Sequence, residues 1–311
     1  SMAIPLALRG VLGTRNFQLN QTPSRTASSE EGISEVTSKN ACIRAVFCTF
    51  LALDLQTALT SLAPISLTEI EGAELMSRLD QKYLIHRQWV PQLVDAIRDD
   101  YRILEVDGAR QTEYRNRFIE TASQSSLHEH TRGRNIRFKA RIRQYGSNLR
   151  SFLEVKEKTV HGRTVKARIE RDATAGIERP LTPEESKFLS SHYKYGDPEL
   201  SEVTCHFNRF TLVSSDQAER ITIDTDIVFR SGDKEESLGE LCIMEIKQER
   251  INRNSPLLQA LERFKFEYTP LGRRTSMSKY VVGMLLLNPN LPPRTYRSVM
   301  KRVRRMRENL H

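Results

Sequence analysis

The stretch from Arg137 to Arg171 limits the fold of this chain more than any other. It reads RFKARIRQYG, NLR, SFLEVKEK, TVHG and RTVKARIER. Lys139, Arg141, Arg143 and Tyr145 share one parity; Phe138, Ala140 and Ile142 share the other. Downstream, Glu154, Lys156 and Lys158 alternate with Leu153 and Val155, and Lys166, Arg168 and Glu170 with Val165, Ala167 and Ile169. Side chains of a strand project to opposite faces with period two, so each segment has one apolar and one heavily cationic face. Gly146 and His161-Gly162 stand where tight turns are needed. Two architectures satisfy this pattern: an open meander with its charged face in water, or a closed barrel with that face turned inward.

Distant segments repeat the alternation. Met76–Ile85 places Arg78, Asp80 and Lys82 opposite Leu79, Tyr83 and Ile85. Arg220–Phe229 sets Ile221, Ile223, Ile227 and Phe229 against Arg220, Thr222, Asp224 and Asp226. Leu241–Gln248 sets Met244 and Ile246 against Glu245 and Lys247. Further strands are predicted at Tyr101–Val106, Glu113–Thr121, Val203–Val213 (with Arg209) and Lys279–Leu287, the last preceded by Ser278; Asp107-Gly108 signals a hairpin turn. Helices are predicted at Ala45–Leu62, Val90–Asp99, Leu181–His192, Ser255–Phe264 and Thr295–Leu310. The third carries a capping box, with Thr182, Pro183 and Glu185 in order.

If helices cover the apolar faces, the charged faces must line water or ligand. The expected class is therefore α+β: a closed antiparallel β-barrel with a polar, basic lumen and helices packed outside. The segments predicted are a mobile N-terminal stretch at 1–40, the barrel domain at 41–290 with an N-terminal packing helix, and a basic amphipathic helix at 291–311. Residues 1–40 hold Arg9, Arg15 and Arg25 and no acid before Glu30, a composition also seen in organelle transit peptides. Ser1 ahead of Met2 resembles a cleavage scar.

The chain has 48 Lys+Arg against 39 Asp+Glu, a net charge of +9, which favours an anionic partner without choosing among nucleic acid, phosphate compounds and acidic lipid. Cys42, Cys48, Cys205 and Cys242 form no CxxC or zinc spacing and read as reduced thiols of a cytoplasmic protein. No apolar run is long enough to span a membrane. The last helix offers a seam of Tyr296, Val299, Val303, Met306 and Leu310 ringed by Lys301, Arg302, Arg304, Arg305 and Arg307. Such a helix packs its seam on the domain or makes peripheral contact with an acidic membrane.

Many cations in one lumen repel one another and need counter-charge. Linked phosphates suit that geometry, with forked contacts from Arg and point charges from Lys. A lone Glu245 among these cations reads equally well as a salt-bridge partner or as a carboxylate carrying a divalent metal to phosphate oxygens.

The motifs RLDQKY (78–83), ARIRQYG (140–146), FLEVKEK (152–158), GRTVKARIER (162–171), FNR (207–209), ERITIDTDI (219–227), LCIMEIKQ (241–248) and SKYVVGM (278–284), in that order, resemble the VTC domain. That domain is the catalytic part of a polyphosphate polymerase within the triphosphate tunnel metalloenzymes, and the likeness is to its bacterial relatives. The resemblance implies phosphate-binding and catalytic roles for Lys82, Arg141, Arg143, Lys156, Lys166, Arg209 and Arg220. It implies substrate binding by Ser278, Lys279 and Lys247, and metal binding by Glu245 with Mn²⁺ or Mg²⁺. The implied reaction adds the γ-phosphate of ATP to a polyphosphate threaded through the tunnel, releasing ADP. The chain differs from the family at RFIET (117–121), where Tyr-Phe-Asp-Thr is common. It differs from hydrolytic relatives by Arg78 and Asp80 at the acidic positions of the first tunnel strand.

The alternatives are hydrolysis of tripolyphosphate or a nucleoside triphosphate in the same tunnel, a non-catalytic polyphosphate binder, and a basic nucleic-acid binder. The last predicts aromatic rings interleaved with the basic strip. Aromatics make up only 7% of the chain and are not concentrated there, so sequence-specific nucleic acid is not an expected partner.

Overall fold

The computed structural model describes residues 54–71, 79–146, 150–160, 164–172, 174, 176–250, 252–267 and 274–308. All lie within the unit Phe50–His311. The segment at 1–40, the first half of the helix predicted over 45–62, Arg78, the His161-Gly162 turn, Cys42, Cys48 and Leu310 lie outside the described residues.

In chain order the elements are α1 (Leu55–Ser61), β1 (Pro64–Ile65), α2 (Leu67–Glu71), β2 (Leu79–His86), α3 (Val90–Asp95), β3 (Tyr101–Leu104) and β4 (Thr112–Glu120). Next come α4 (Ser125–Thr131), β5 (Arg137–Tyr145), β6 (Ser151–Lys158), β7 (Thr164–Arg171) and α5 (Pro183–His192). The remainder is β8 (Glu199–Ser214), β9 (Glu219–Ser231), β10 (Lys234–Ser237), β11 (Leu241–Gln248), α6 (Pro256–Glu267), α7 (Lys279–Leu287) and α8 (Arg297–Glu308). Local chemistry sets several boundaries. Asp54 caps α1 by accepting from the amides of Gln56 and Thr57. Thr182 and Glu185 form the predicted capping box of α5. Asp107 and Gly108 both take positive φ, as a two-residue hairpin turn requires, and Val106 and Ala109 exchange both hydrogen bonds across it.

The main sheet runs β2-β11-β9-β8-β4-β5-β6-β7, and every pair along this path is antiparallel. β10 adds to β9, and β3 adds to β8 and pairs with β1, the one parallel contact among the described residues. The predicted closed barrel is not formed. Among the described residues β7 pairs only with β6, and β2 is the other end of the path. Val165 on β7 is 53% exposed and Leu79 on β2 is 47% exposed. Alternation decides which face a side chain takes, but closure depends on strand tilt and stagger, which alternation does not carry.

The sheet is nevertheless strongly curled. Five strand spacings separate β6 from β11, about 24 Å in a flat sheet. Charges that far apart in solution are screened. Yet Lys156 on β6 acts on the ionisation of Glu245 on β11, and Lys82 on β2 acts on that of Lys139 on β5. The charged faces therefore turn toward one another.

Helices cover the convex face as expected. Leu55 and Leu59 of α1, Leu93 of α3 and Leu257 of α6 pack on Ile85, Phe210, Ile221, Ile223, Met244 and Ile246. Leu189 of α5 packs on Ile142, Leu153 and Val155. Residues 279–287, predicted as a strand, instead form α7, and this helix lies on the concave side. Tyr280, Val281, Met284 and Leu285 meet Leu84, Phe118, Cys205, Phe207, Phe229 and Ile243 there. A short apolar run does not distinguish buried strand from buried helix, and Tyr280 through Leu287 are buried on every side. Cys205 and Cys242 are buried free thiols, and burial pushes both up to about 12.

β9 departs from strict alternation. Asp226 takes positive φ, and the register with β8 shifts between His206 and Asn208. This bulge sends Ile227 and Phe229 to the concave cluster, whereas Ile221 and Ile223 stay on the convex one. The seam of α8 is also spent inside: Val299, Met300, Val303 and Met306 are buried in the concave cluster. Only the basic side of that helix is available to an acidic surface. Among the described residues no helix is long and apolar enough to cross a membrane.

The α7–β9 contact yields a first testable consequence. A Cβ at Gly283 would meet Phe229 Cδ1 at 2.5 Å and Cγ at 2.9 Å. Gly283→Ala is expected to lower stability by about 1–3 kcal/mol through overpacking. Equilibrium denaturation measures it, and an unchanged midpoint would contradict the packing described.

Candidate functional site

The concave face has an apolar end, filled by α7, and a charged remainder. Register explains how the charges gather. Lys139 on β5, Lys156 on β6 and Lys166 on β7 are direct cross-strand partners, so three lysines lie side by side. Like charges directly opposite destabilise a sheet. One position along, Glu154 stands between Arg141 and Arg168. On the other limb, Lys82 of β2 and Thr222 of β9 flank Glu245 of β11. Lys247 follows, with Asp80 and Arg220 as its partners.

Each arginine is held by the wall. Arg141 donates Nε and Nη2 to Glu154 Oε2 at 2.8 and 2.6 Å. Arg143 is buried, donates Nε to Asn116 Oδ1 at 3.0 Å and lies 5.0 Å from the Tyr114 ring centroid. Arg209 grips Asp224 bidentately at 2.5 and 2.8 Å and lies 4.9 Å from the same Tyr114 centroid. Tyr114 in turn stacks on Phe207, centroids 5.1 Å apart. Lys279, the first residue of α7, donates Nζ to Asp224 and sits 4.4 Å above the Phe207 ring. Ser278 is buried where α7 begins, and Lys82 Nζ reaches the Met277 carbonyl at 3.5 Å.

The electrostatics follow from burial among like charges. Desolvation drives the Lys139 ammonium well below its usual range; Lys82, Arg137 and Arg141 push the same way, and Glu245 opposes them. Lys156 is lowered likewise, by burial first and then by Arg141 and Arg143. Burial would raise Glu245, but Lys247, Lys82, Arg209 and Lys156 together hold it well below the carboxylate range, so it is ionised at neutral pH. Asp224 and Glu154 are lowered despite burial, the first by Arg209 and Lys279, the second mainly by Arg141 and Arg143.

Of the predicted site residues, Lys82, Arg141, Arg143, Lys156, Arg209, Lys279 and Glu245 face this one region. Lys166 lies on the exposed edge strand, and Arg220 reaches toward the Ile70 carbonyl at 3.5 Å. Lys139 is the residue the sequence reading left out of the site. Its parity was plain, but it lies one residue before the ARIRQYG motif. The supports Asn116, Tyr114, Phe207 and Asp224 were also missed, because their roles exist only across strands.

Among the described residues no group of three or more His, Cys, Asp or Glu is placed to hold a metal ion. An ionised Glu245 fits a divalent cation whose other ligands are phosphate oxygens and water, the mode Mg²⁺ commonly adopts.

The curled antiparallel sheet thus gathers lysines and arginines around three carboxylates held in their ionised form, Glu154, Asp224 and Glu245. The sequence profile of the VTC domain matches residues 77–288. The chain belongs to the VTC domain family. Among curated proteins nothing matches. Solved structures with a similar fold include HpAC1 from Hippeastrum, described as a candidate adenylyl cyclase with a dominant triphosphatase activity; it is 15% identical, with 70% of this chain and 98% of that chain covered and a TM-score of 0.42. PH1819 from Pyrococcus horikoshii OT3 is 10% identical, with 65% and 96% covered and a TM-score of 0.35. The Pct1 RNA triphosphatase of S. pombe is 11% identical, with 72% and 96% covered and a TM-score of 0.27. At these scores the chemistry of the site rests on this chain's own residues.

Proposed function

We propose that this chain is a metal-dependent phosphotransferase that moves the γ-phosphoryl group of ATP onto the end of a polyphosphate chain. The observation that carries the reading is the row of cross-strand lysines Lys139, Lys156 and Lys166, of which Lys139 and Lys156 bear on Glu245 across the hollow. Ammonium groups placed directly opposite one another on neighbouring strands are explained by a bound chain of phosphates.

Phosphoryl transfer asks the protein for positioning and charge neutralisation rather than for a nucleophile. A terminal oxygen of the acceptor attacks the γ-phosphorus, the bond to the β,γ-bridging oxygen breaks, and ADP leaves with that electron pair. Lys139, Lys156 and Lys82 would neutralise the equatorial oxygens, with Arg143, held by Asn116 and Tyr114, beside them. Arg209 and Lys279, fixed by Asp224, would orient the triphosphate. A divalent cation on Glu245, Mn²⁺ or Mg²⁺, would add Lewis-acid charge at phosphate oxygens.

Incubation with ATP and Mn²⁺ tests the reading: long-chain polyphosphate with ADP supports the transferase. Free phosphate without chains would replace it with hydrolysis at the same residues, and neither product would leave a polyphosphate binder. A thermal measurement checks the lysine row independently of turnover. Tripolyphosphate at 100 times its Kd is expected to stabilise the chain by about 2.7 kcal/mol. Lys139→Ala with Lys156→Ala should raise the midpoint of the free chain, by relieving repulsion, and remove most of the tripolyphosphate effect. A double variant that is destabilised yet still responds fully to tripolyphosphate would contradict the row's role.

A further inference from the structure

The cationic lane does not stop at the lysine row. On β5 the concave-facing cations run Arg143, Arg141, Lys139 and Arg137, each two residues from the next. Three such steps cover about 20 Å, well beyond a triphosphate. At the far end Arg137 is the direct cross-strand partner of Lys158. His130 of α4 closes over this end: it is 3% exposed, its Nδ1 is bonded to the Ser126 carbonyl at 2.8 Å, and its Nε2 has no hydrogen-bond partner. Burial pushes the imidazole down to about 2, and Lys139, Arg137 and Lys158 all bear on it, so these four side chains form one neighbourhood.

Beyond Arg137 the lane meets an open groove of about 850 Å³, lined by Glu129, Arg132, Arg134, Ile136, Val160 and Arg294 among others. Arg137 Nη1 donates to the Arg134 carbonyl at 2.7 Å, which ties the start of β5 to the groove. Glu129 is the counter-ion, but it stands 3.6 Å from Arg132 and 3.8 Å from Arg134, outside hydrogen-bond distance. Guanidinium donors there are open to a stronger acceptor. Ile136 and Val160 are aliphatic and exposed, and among the described residues no aromatic ring lines the groove to offer stacked bases a platform.

We infer that this groove is a second polyanion site that binds the body of a polyphosphate chain longer than a triphosphate, through Arg132, Arg134 and Arg294. The direction of the chain rests on the proposed function; the groove's own affinity does not. Titration calorimetry of the full chain with tripolyphosphate, and with a polyphosphate of a few tens of phosphates, separates the two. In Arg134→Gln with Arg294→Asn both changes fall on exposed side chains, and Asn suits the positive φ at 294.

The variant is expected to bind tripolyphosphate as the parent does and the long chain about fivefold more weakly or worse, with a shallower salt dependence. Undiminished long-chain binding by the variant would overturn the inference while leaving the concave site intact. So would single-stranded RNA of equal charge competing as well as polyphosphate. If only the long chain binds the parent, and the variant weakens it, the concave site fails and the groove stands. If neither polyanion binds, both readings fail.

Discussion

Asp224→Ala is expected to cost about 3–5 kcal/mol of folding stability, the loss seen when one member of a buried ion pair is removed. Asp224 is 2% exposed, Arg209 12% and Lys279 18% at their side chains, and the carboxylate is shared by both cations. Its removal leaves two positive charges facing each other beside a lysine row. Asp224→Asn should lose most of the same stability, since it keeps the shape and discards the charge. Tripolyphosphate should rescue either variant more than it stabilises the parent, because phosphate supplies the missing anion. Denaturant titration with and without tripolyphosphate decides this; a loss under 1 kcal/mol, or no extra rescue, would sink the account of Asp224 as the internal counter-ion. The pH dependence has a definite sign. The folded pKa of Asp224 lies below its unfolded value, so its stabilisation is complete above the ordinary carboxylate range and is lost as pH falls toward the lowered value. Glu154 behaves the same way. The parent should therefore weaken progressively below about pH 5, and Asp224→Asn should show a flatter acid limb.

Glu120→Ala is the second large effect, again about 3–5 kcal/mol and roughly a 10 °C drop in melting temperature for a chain of this size. Glu120 is 5% exposed and accepts five hydrogen bonds. Three come from the amides of Thr121, Ser126 and Leu127, which gives the start of α4 an acceptor that Gln124 does not supply. Two come from the phenols of Tyr193 at 3.1 Å and Tyr280 at 2.6 Å. Burial and the carboxylate push both phenols far up, so they remain donors. One side chain thus joins β4, α4, the end of α5 and the first turn of α7. Because Tyr280 follows Lys279, the same bond fixes where the lysine enters the concave face. Tyr280→Phe should cost only about 1 kcal/mol. If Glu120→Ala were no worse than Tyr280→Phe, the amide contacts would be carrying nothing.

These two residues mark the boundary of what could be read in advance. Glu120 and Asp224 are ordinary members of alternating strands in the sequence, and neither spacing nor parity reveals that several elements converge on each. Arg141, Arg143, Lys156 and Arg209 were legible because every second residue of a strand must share a face. Lys139 was equally legible from parity, but the motif boundary hid it. The capping box of α5 and the Asp107-Gly108 turn were legible because both are settled within four residues. The 279–287 run was not, since a segment buried all round carries no period that separates helix from strand. Nor was the bulge at Asp226, whose effect is to exchange the two faces of β9 halfway along.

By itself, then, the order of residues determined the α+β class, the antiparallel strands, their cationic and apolar faces, and the family. Those properties follow from interactions between near neighbours along the chain. Only the tertiary structure decided that the sheet curls without closing, that α7 fills one end of its hollow, and that Lys139 and Lys156 face Glu245 from the opposite limb. Tilt, stagger and the packing of distant segments set those distances, and they belong to pairs of residues far apart in the chain.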